Sequence, residues 1–555
     1  MVAVAVAPEL QSLLGGLDAG QRAAAELPDG PALVIAPAGS GKTTTLIARL
    51  GVLLARGVAP ERICVLTFNR EAAAELAGRI LARLTPIVPA AGQIEVRTLH
   101  ALARQVLLDA GDRPQLVADR LPLLRAARRR ALARSRPDAP PPPDAESLDP
   151  ILSAWKIERR APPPEASAVL EAYAELLAAR GLRDFDDLVV DAVTTLSDNA
   201  PLRLRWQARF THLAVDEFQD VDAAQLAMIG LLADPQRNLT VVGDDDQTIY
   251  AWRLADVRRM LDFPVRYPDT RVVQLEVNYR CPAPVVAASR RLVSVNQERF
   301  AKRIRAADEG RSALRAGAIE LTQEGRPGWA ERLVGLLREA TAAGEKACVL
   351  ARTSAELEPV LVALASAGMR HATSIPALIE AAPVTALLEA AATLPAHARP
   401  FDALLGLRTG RGWRRGGTVD SLGDREHAAL DALLGWAAGF ATLDRFLASA
   451  DLARRRLAEL RDPGAPIELL TVHAAKGREW ATVVVLGFEH DRFPNRRALL
   501  GATDPARAME EERRLAYVAL TRARRRLVLS LDPARPSPFL AEMGYRPTSG
   551  AATDR

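Results

Sequence analysis

Short apolar runs rich in β-branched residues recur along the chain, and each is followed by a longer stretch with helical spacing. The clearest runs cover residues 32–36, 63–68, 213–216 and 239–243, then 348–351, 469–472, 482–486 and 527–530. Buried strands that alternate with helices predict parallel α/β sheets. The runs fall into an early and a late set, which predicts two α/β domains. Helical insertions rich in Ala, Leu and Arg interrupt both sets. One spans 111–183 and contains four consecutive prolines at 140–143, a stiff extended segment. The other spans 376–466, with helical runs expected at 383–394 and 426–450 and a flexible, basic Gly/Arg-rich loop at 408–417. Residues 546–555 are expected to fray.

The length of 555 residues suits three to four domains. A net charge of +5 and a pI near 9.3 permit a polyanionic partner without demonstrating one. The three cysteines, Cys64, Cys281 and Cys348, are far apart, so neither a disulfide framework nor a four-cysteine metal site is readable. A reduced cytoplasmic compartment fits. The apolar N-terminus is short and lacks a basic region, so it makes a poor signal peptide. No stretch approaches the roughly 20 apolar residues that span a bilayer, so no membrane association is expected. The arginines of residues 120–136, among them Arg125, Arg128, Arg129 and Arg130, fit either a solvated helix face or a phosphate contact.

The string VIAPAGSGKT at 34–43 reads as a strand running into a phosphate loop, with Ala36 where the common pattern begins with glycine. The backbone of Ala38, Gly39, Ser40 and Gly41 can approach phosphate oxygens, and the next helix, opening through Lys42, Thr43 and Thr44, presents its N-terminus to the anion. Lys42 is expected to reach the β- and γ-phosphates and the Thr43 hydroxyl to bind Mg²⁺. HLAVDE at 212–217 reads as a buried strand ending in two acids. Asp216 is placed to hold Mg²⁺, and Glu217 to orient or deprotonate the attacking water. Together the two motifs predict an ATPase that uses ATP and Mg²⁺.

In chain order, further motifs resemble superfamily-one helicases of the UvrD/Rep/PcrA group, over most of the chain. LDAGQ at 17–21 is similar to the adenine-reading glutamine motif, with Gln21 as the reader. TFNREAAAE at 67–75, RTLH at 97–100 and DFDDL at 184–188 resemble the family's next motifs, and VDEFQD at 215–220 its acidic motif. GDDDQTIYAWR at 243–253 is the most diagnostic. The resemblance implies that Gln247 senses the γ-phosphate while Tyr250 and Trp252 touch DNA bases. NYR at 278–280 resembles the motif whose tyrosine, Tyr279, stacks on adenine and whose arginine, Arg280, meets the γ-phosphate. TVHAAKGRE at 471–479 joins DNA contact to ribose contact through Glu479, and EERRLAYVALTR at 511–522 supplies a second arginine, Arg522.

The resemblance implies two RecA-like motor domains. The first would comprise 1–110 and 184–281 around the 111–183 insert. The second would comprise 282–375 and 467–545 around a shortened accessory insert at 376–466. ATP would close the cleft between them and hydrolysis reopen it, one stroke per ATP. The catalytic set would be Lys42, Asp216, Glu217, Gln247, Arg280 and Arg522, the arginines neutralising charge on the transferring phosphoryl group. On the DNA side, Phe68, Tyr250 and Trp252 would stack on bases, which tolerates any sequence. Thr98, His100, Thr471 and His473 would bond backbone phosphates.

The expected function is a 3′-to-5′ helicase and translocase on single-stranded DNA and single-strand/duplex junctions. It would work in a bacterial cytoplasm near the nucleoid, in repair, replication or recombination, and a protein loading partner is possible. Alternatives are the motor subunit of a helicase–nuclease complex and a non-hydrolysing DNA-binding scaffold. The chain departs from the family pattern at Arg70 and Glu71, where Asn-Lys is usual, at Cys281 for serine and at Arg478 for leucine; none of these removes a catalytic group.

Overall fold

The computed structural model describes residues 8–135, 140–307, 319–324, 328–375, 377–413, 422 and 424–545. The residues divide into two compact units. One holds the chain up to Tyr279 together with Asn296–Ala307, and the other holds Arg280–Val295 and the described residues after Ala307. The chain thus passes between the units three times, and the 282–295 stretch and the 296–307 stretch belong to different units.

Six strands form the sheet of the first unit: β1 (Ala32–Ile35), β2 (Ile63–Thr67), β3 (Glu95–Thr98), β4 (His212–Val215), β5 (Leu239–Gly243) and β6 (Arg271–Gln274). All pair in parallel in the order β3-β2-β4-β5-β1-β6. The pleat sends successive side chains to opposite faces. Leu33 and Ile35 therefore join one core with the Leu99–Asp109, Phe185–Asp198 and Ala223–Ala233 helices. Val34 and Ala36 join another with the Lys42–Ala55 and Arg70–Leu84 helices. Burial on both faces is why the inner strands β1, β2, β4 and β5 read as continuous apolar runs.

The second unit repeats the plan with β7 (Ile319–Gln323), β8 (Ala347–Ala351), β9 (Ile467–Thr471), β10 (Trp480–Val485) and β11 (Ala523–Leu531), parallel in the order β7-β11-β10-β8-β9. The expected class, parallel α/β with helical insertions, is the class observed. Within these two sheets, the three strands that periodicity misses, β3, β6 and β7, all lie at edges. Their sequences, EVRT, RVVQ and IELTQ, carry polar residues that a central strand would have to bury.

The first insertion packs the Leu121–Arg134, Ala145–Ile157 and Pro164–Ala178 helices around Leu124, Leu148, Leu170 and Tyr173. At its base Gln115–Leu116 pairs in parallel with Leu182–Arg183. Its arginines divide between two uses. Arg128 donates to the carbonyls of Pro142 and Pro143, and so fastens the proline segment to the helix, whereas Arg129 and Arg130 are exposed.

The second insertion packs the Ala382–Ala391, Pro400–Gly410, Asp424–Ala437 and Leu443–Leu460 helices around Leu387, Leu404, Leu430 and Phe446. Two expectations change here. The helical run expected over 426–450 is two helices separated by a turn at Gly439. The expected loop starts as the last turn of a helix, because the Arg408 guanidinium bonds Asp431 at 2.7 Å and the Trp413 carbonyl at 3.0 Å. Residues 414–417 of that loop, and the 546–555 tail, lie outside the described residues. Among the described residues no helix is long and apolar enough to cross a membrane, and the three cysteines are buried and form no disulfide.

Candidate nucleotide site and DNA track

The loop between β1 and the Lys42–Ala55 helix turns through two left-handed glycines, Gly39 at φ 71° and Gly41 at φ 79°. A side chain at Gly41 would also collide with the Gln21 amide nitrogen, 2.6 Å from an ideal Cβ. That contact is part of a built arrangement. Asp18 caps the Ala19–Ala25 helix, and its backbone N–H and that of Gln21 each donate to the other's side-chain oxygen, while the Gln21 Nε2 donates to the Ser40 carbonyl at 2.9 Å. The Tyr279 backbone N–H donates to the Gly39 carbonyl at 2.9 Å, and its hydroxyl donates to Asp18 at 2.7 Å. The Tyr279 ring remains 53% exposed beside the loop. Exposed aromatic surface held in place by its hydroxyl suits stacking on a flat base.

Lys42 opens the helix, and its ammonium lies 3.1 and 3.2 Å from the two Glu217 oxygens. Glu217 sits just past the end of β4 at φ 52°, a strained conformation for a residue with a side chain, and its N–H is held by the Asp216 carboxylate at 3.0 Å. Desolvation, reinforced by the Glu217 charge, pushes the Asp216 pKa up to about 6. Gln219 bonds Glu217 at 2.5 Å through its amide nitrogen and accepts from the Asp244 N–H at 3.1 Å through its oxygen. The Gln247 amide nitrogen donates to Asp244 at 2.7 Å. Lys42, Glu217, Gln219, Asp244 and Gln247 therefore form one bonded series across the ends of β4 and β5.

The donor set fits a nucleotide with a magnesium ion. The Ser40 hydroxyl in the loop is buried with no partner among the described residues. No cluster of three or more His, Cys, Asp or Glu that could hold a metal occurs among the described residues. One carboxylate, one threonine hydroxyl and substrate phosphates are the usual magnesium ligands. Asp216 and Thr43 are a carboxylate and a threonine hydroxyl of these kinds.

In the second unit Arg280, Glu479 and Arg522 converge. The Arg280 Nε lies 2.5 Å from Glu479, and one of its terminal nitrogens is 3.4 Å from the Thr521 carbonyl. Glu479 also pairs with Arg524 at 3.4 Å. Arg522 is buried and donates to the carbonyls of Val518 and Arg478 at 2.9 and 3.2 Å.

A separate aromatic surface lies past the ends of β2 and β5. Phe68 and Tyr250 stack at 5.3 Å with an 8° interplanar angle, and Trp252, 56% exposed, meets Tyr250 edge-on at 6.2 Å. The Arg253 guanidinium covers both Phe68 and Trp252, at 5.9 and 5.3 Å. His100 meets the exposed Phe185 ring edge-on at 5.9 Å. Thr98 is committed in part, since its hydroxyl caps the Leu99–Asp109 helix by accepting from Ala101 N–H at 3.1 Å. Thr471 ends β9 in the second unit, and His473 follows it. Burial first, and then the Arg352 and Lys476 charges, lower the His473 pKa to about 4.

Residues 17–268 match the UvrD/REP helicase N-terminal domain, and residues 425–533 match the UvrD-like helicase C-terminal domain. The ATP-dependent DNA helicase UvrD2 of Mycobacterium tuberculosis is 31% identical over 93% of this chain and 79% of its own length. The chain belongs to the UvrD/REP helicase family. The ATP-dependent DNA helicase PcrA of Bacillus subtilis is similar over a comparable span, 27% identical over 93% of this chain and 83% of its own. The ATP-dependent DNA helicase Rep of Buchnera aphidicola is 28% identical over 52% of this chain and 46% of its own.

For this UvrD/REP helicase, sequence reasoning left several built-in residues unassigned. Gln219 was legible as a polar residue within a buried stretch, between Phe218 and Asp220. Arg253 and Phe185 sit inside quoted motifs, yet only their ring contacts single them out. Lys302 and Arg299, which close the turn after β5 from more than fifty positions away, leave no local signal at all.

Proposed function

We propose that this chain is an ATP-driven motor that moves 3′ to 5′ along single-stranded DNA and opens duplex at single-strand/duplex junctions. The observation that carries the reading is the turn after β5. Within six positions it bears Gln247, tied into the Lys42–Glu217 series, and Tyr250 and Trp252, which build the aromatic surface. A change in the nucleotide site is thereby transmitted to a base-stacking surface through one short, buried segment.

In this reading Lys42 and the loop backbone bind the phosphates of ATP, and Gln21, Tyr279 and Glu479 hold the base and ribose. Thr43 and Asp216 hold magnesium, whose charge offsets that of the phosphate oxygens. Glu217 takes the proton of the attacking water, and Gln247 orients against the γ-phosphate. Arg280 and Arg522 neutralise charge on the transferring group. Phe68, Tyr250 and Trp252 stack on bases, while Thr98, His100, Thr471 and His473 bond the strand's phosphates. The expected setting is the bacterial cytoplasm, at the nucleoid, in repair, replication or recombination.

The second insertion, about 90 residues over 376–466, has a core that is marginal alone. We assign it a reduced role in duplex contact and in self-restraint, so that unwinding depends on a loading partner or on several motors in file. Duplexes with a 3′ or a 5′ single-stranded tail test the reading. Opening confined to the 3′-tailed substrate is expected, and preference for the 5′ tail overturns the polarity. Efficient opening of long duplexes by lone monomers, with a trap present, overturns the partner dependence.

A further inference from the structure

Past the end of β5 three consecutive aspartates, Asp244, Asp245 and Asp246, each have 0% side-chain exposure and surround the ammonium of Lys302, itself 1% exposed. The Lys302 Nζ lies 2.8 Å from Asp244, 2.7 Å from Asp245 and 2.6 Å from Asp246. Arg299 grips Asp246 through two nitrogens at 3.0 and 2.8 Å, and the Phe300 N–H donates to Asp245 at 2.9 Å. Two cations thus face three carboxylates inside the fold. A buried carboxylate without a partner is strongly unfavourable, so this turn depends on the lysine for its shape.

The lysine arrives on a special piece of chain. Residues 296–307 return to the first unit after the chain's excursion into the second. They are tied down on the way by Arg258 to Glu298, by Gln274 to the Ala301 carbonyl at 3.0 Å, and by pairing of Arg305 and Ala306 with Val277 and Asn278. Opposite Lys302, Asp244 is the branch point of the bonded series. One of its oxygens accepts from Lys302 and the other accepts from the Gln247 amide nitrogen at 2.7 Å, while its N–H donates to Gln219 and so leads to Glu217. Because Asp244 accepts and cannot donate when ionised, it fixes which end of the Gln247 carboxamide faces it. Lys302 holds the carboxylate from its other oxygen.

We infer that Lys302 is a positioning residue for ATP hydrolysis, acting through Asp244 to set Gln247 and, by way of Gln219, Glu217. The inference rests on the reading of Gln247 and Glu217 as the groups that meet the γ-phosphate and the water. Lys302 touches neither the nucleotide loop nor the aromatic surface. Its loss acts on turnover rather than on binding.

The test uses the full chain and single-strand-stimulated ATP hydrolysis, with melting temperature, ATP-analogue affinity and single-strand affinity measured beside it. Lys302→Met combined with Asp245→Asn removes one cation and one anion together, and so limits the loss of stability. Asp244→Asn breaks the same link from the other side, with the lysine still facing Asp245 and Asp246. Both chains are expected to lose about tenfold or more in kcat, while KM for ATP and affinity for DNA change by less than about threefold. Adding Gln247→Ala to either is expected to cost less than about twofold further, because residues acting in series are not additive. Normal kcat in both chains overturns the inference, as does a full additional loss from Gln247→Ala. Melting below the assay temperature in both overturns it too, since the lysine then serves the fold alone. If Gln247→Ala by itself leaves kcat intact, the underlying reading of Gln247 fails instead.

Discussion

Lys42 and Glu217 form an ion pair, with the ammonium 3.1 Å from one carboxylate oxygen and 3.2 Å from the other. The two side chains come from positions 175 apart and belong to a helix start and a strand end that the parallel sheet brings together. Glu217→Gln keeps the shape and removes the charge. ATP and DNA are expected to bind normally, while hydrolysis slows by about 10²–10⁴-fold with the loss of a general base. Rapid-quench measurement of a single turnover reads this directly, and near-normal chemistry would move the base to another residue.

Arg280 pairs with Glu479 at 2.5 Å, which holds its guanidinium near Thr521 and Arg522. Arg280→Ala is expected to lower turnover by about 10³-fold or more if the group stabilises the transferring phosphoryl. Arg280→Lys keeps the charge but not the planar fork, and is expected to recover only part of the loss. Steady-state ATPase with saturating single strand checks both.

Trp252 presents an exposed ring next to the Phe68–Tyr250 stack. Trp252→Ala is expected to weaken single-strand binding by about 1–3 kcal/mol. It should shift the DNA concentration needed for half-maximal stimulation far more than KM for ATP. Fluorescence anisotropy with oligonucleotides of several compositions measures the first, and a marked dependence on sequence would contradict base stacking.

Four histidines, His100, His212, His371 and His473, have pKa values lowered chiefly by burial. The unfolded chain takes up protons on these rings from about pH 6.5 downwards. The folded protein resists until lower pH, for His473 until about 4. On these rings the unfolded state then binds more protons, so their contribution to folding stability is intact above about pH 7 and declines as pH falls; Asp216, Asp222 and Asp245, raised by burial to about 6, contribute with the opposite sign below that pH. Thermal melting of the parent and of His473→Gln at pH 7.5 and pH 5 isolates the imidazole contribution: the change on acidification should be less destabilising in His473→Gln than in the parent, and an identical change in both would contradict it.

The central strands and the two acids after β4 were legible because burial on both faces leaves an uninterrupted apolar run, and because catalytic groups cluster at strand ends. The edge strands β3 and β6 escaped notice, since a strand with one open side needs no such run. The position of the helix break at Gly439 was also hidden, because Ala-rich sequence continues through it with nearly the same spacing. The nucleotide residues could be named from their motifs, but what ties them together could not. Gln219 between Glu217 and Asp244, and Lys302 beneath Asp244, are set by side chains meeting in space, and no spacing along the chain encodes that meeting.

The motor reading turns on coupling between ATP and DNA, because Gln247 and Trp252 share one turn. The most direct measurement is the steady-state rate of ATP hydrolysis with and without single-stranded DNA. A rise of about tenfold or more on adding DNA, reduced by added salt as phosphate contacts weaken, is the expected result. A rate that DNA leaves unchanged would contradict the account.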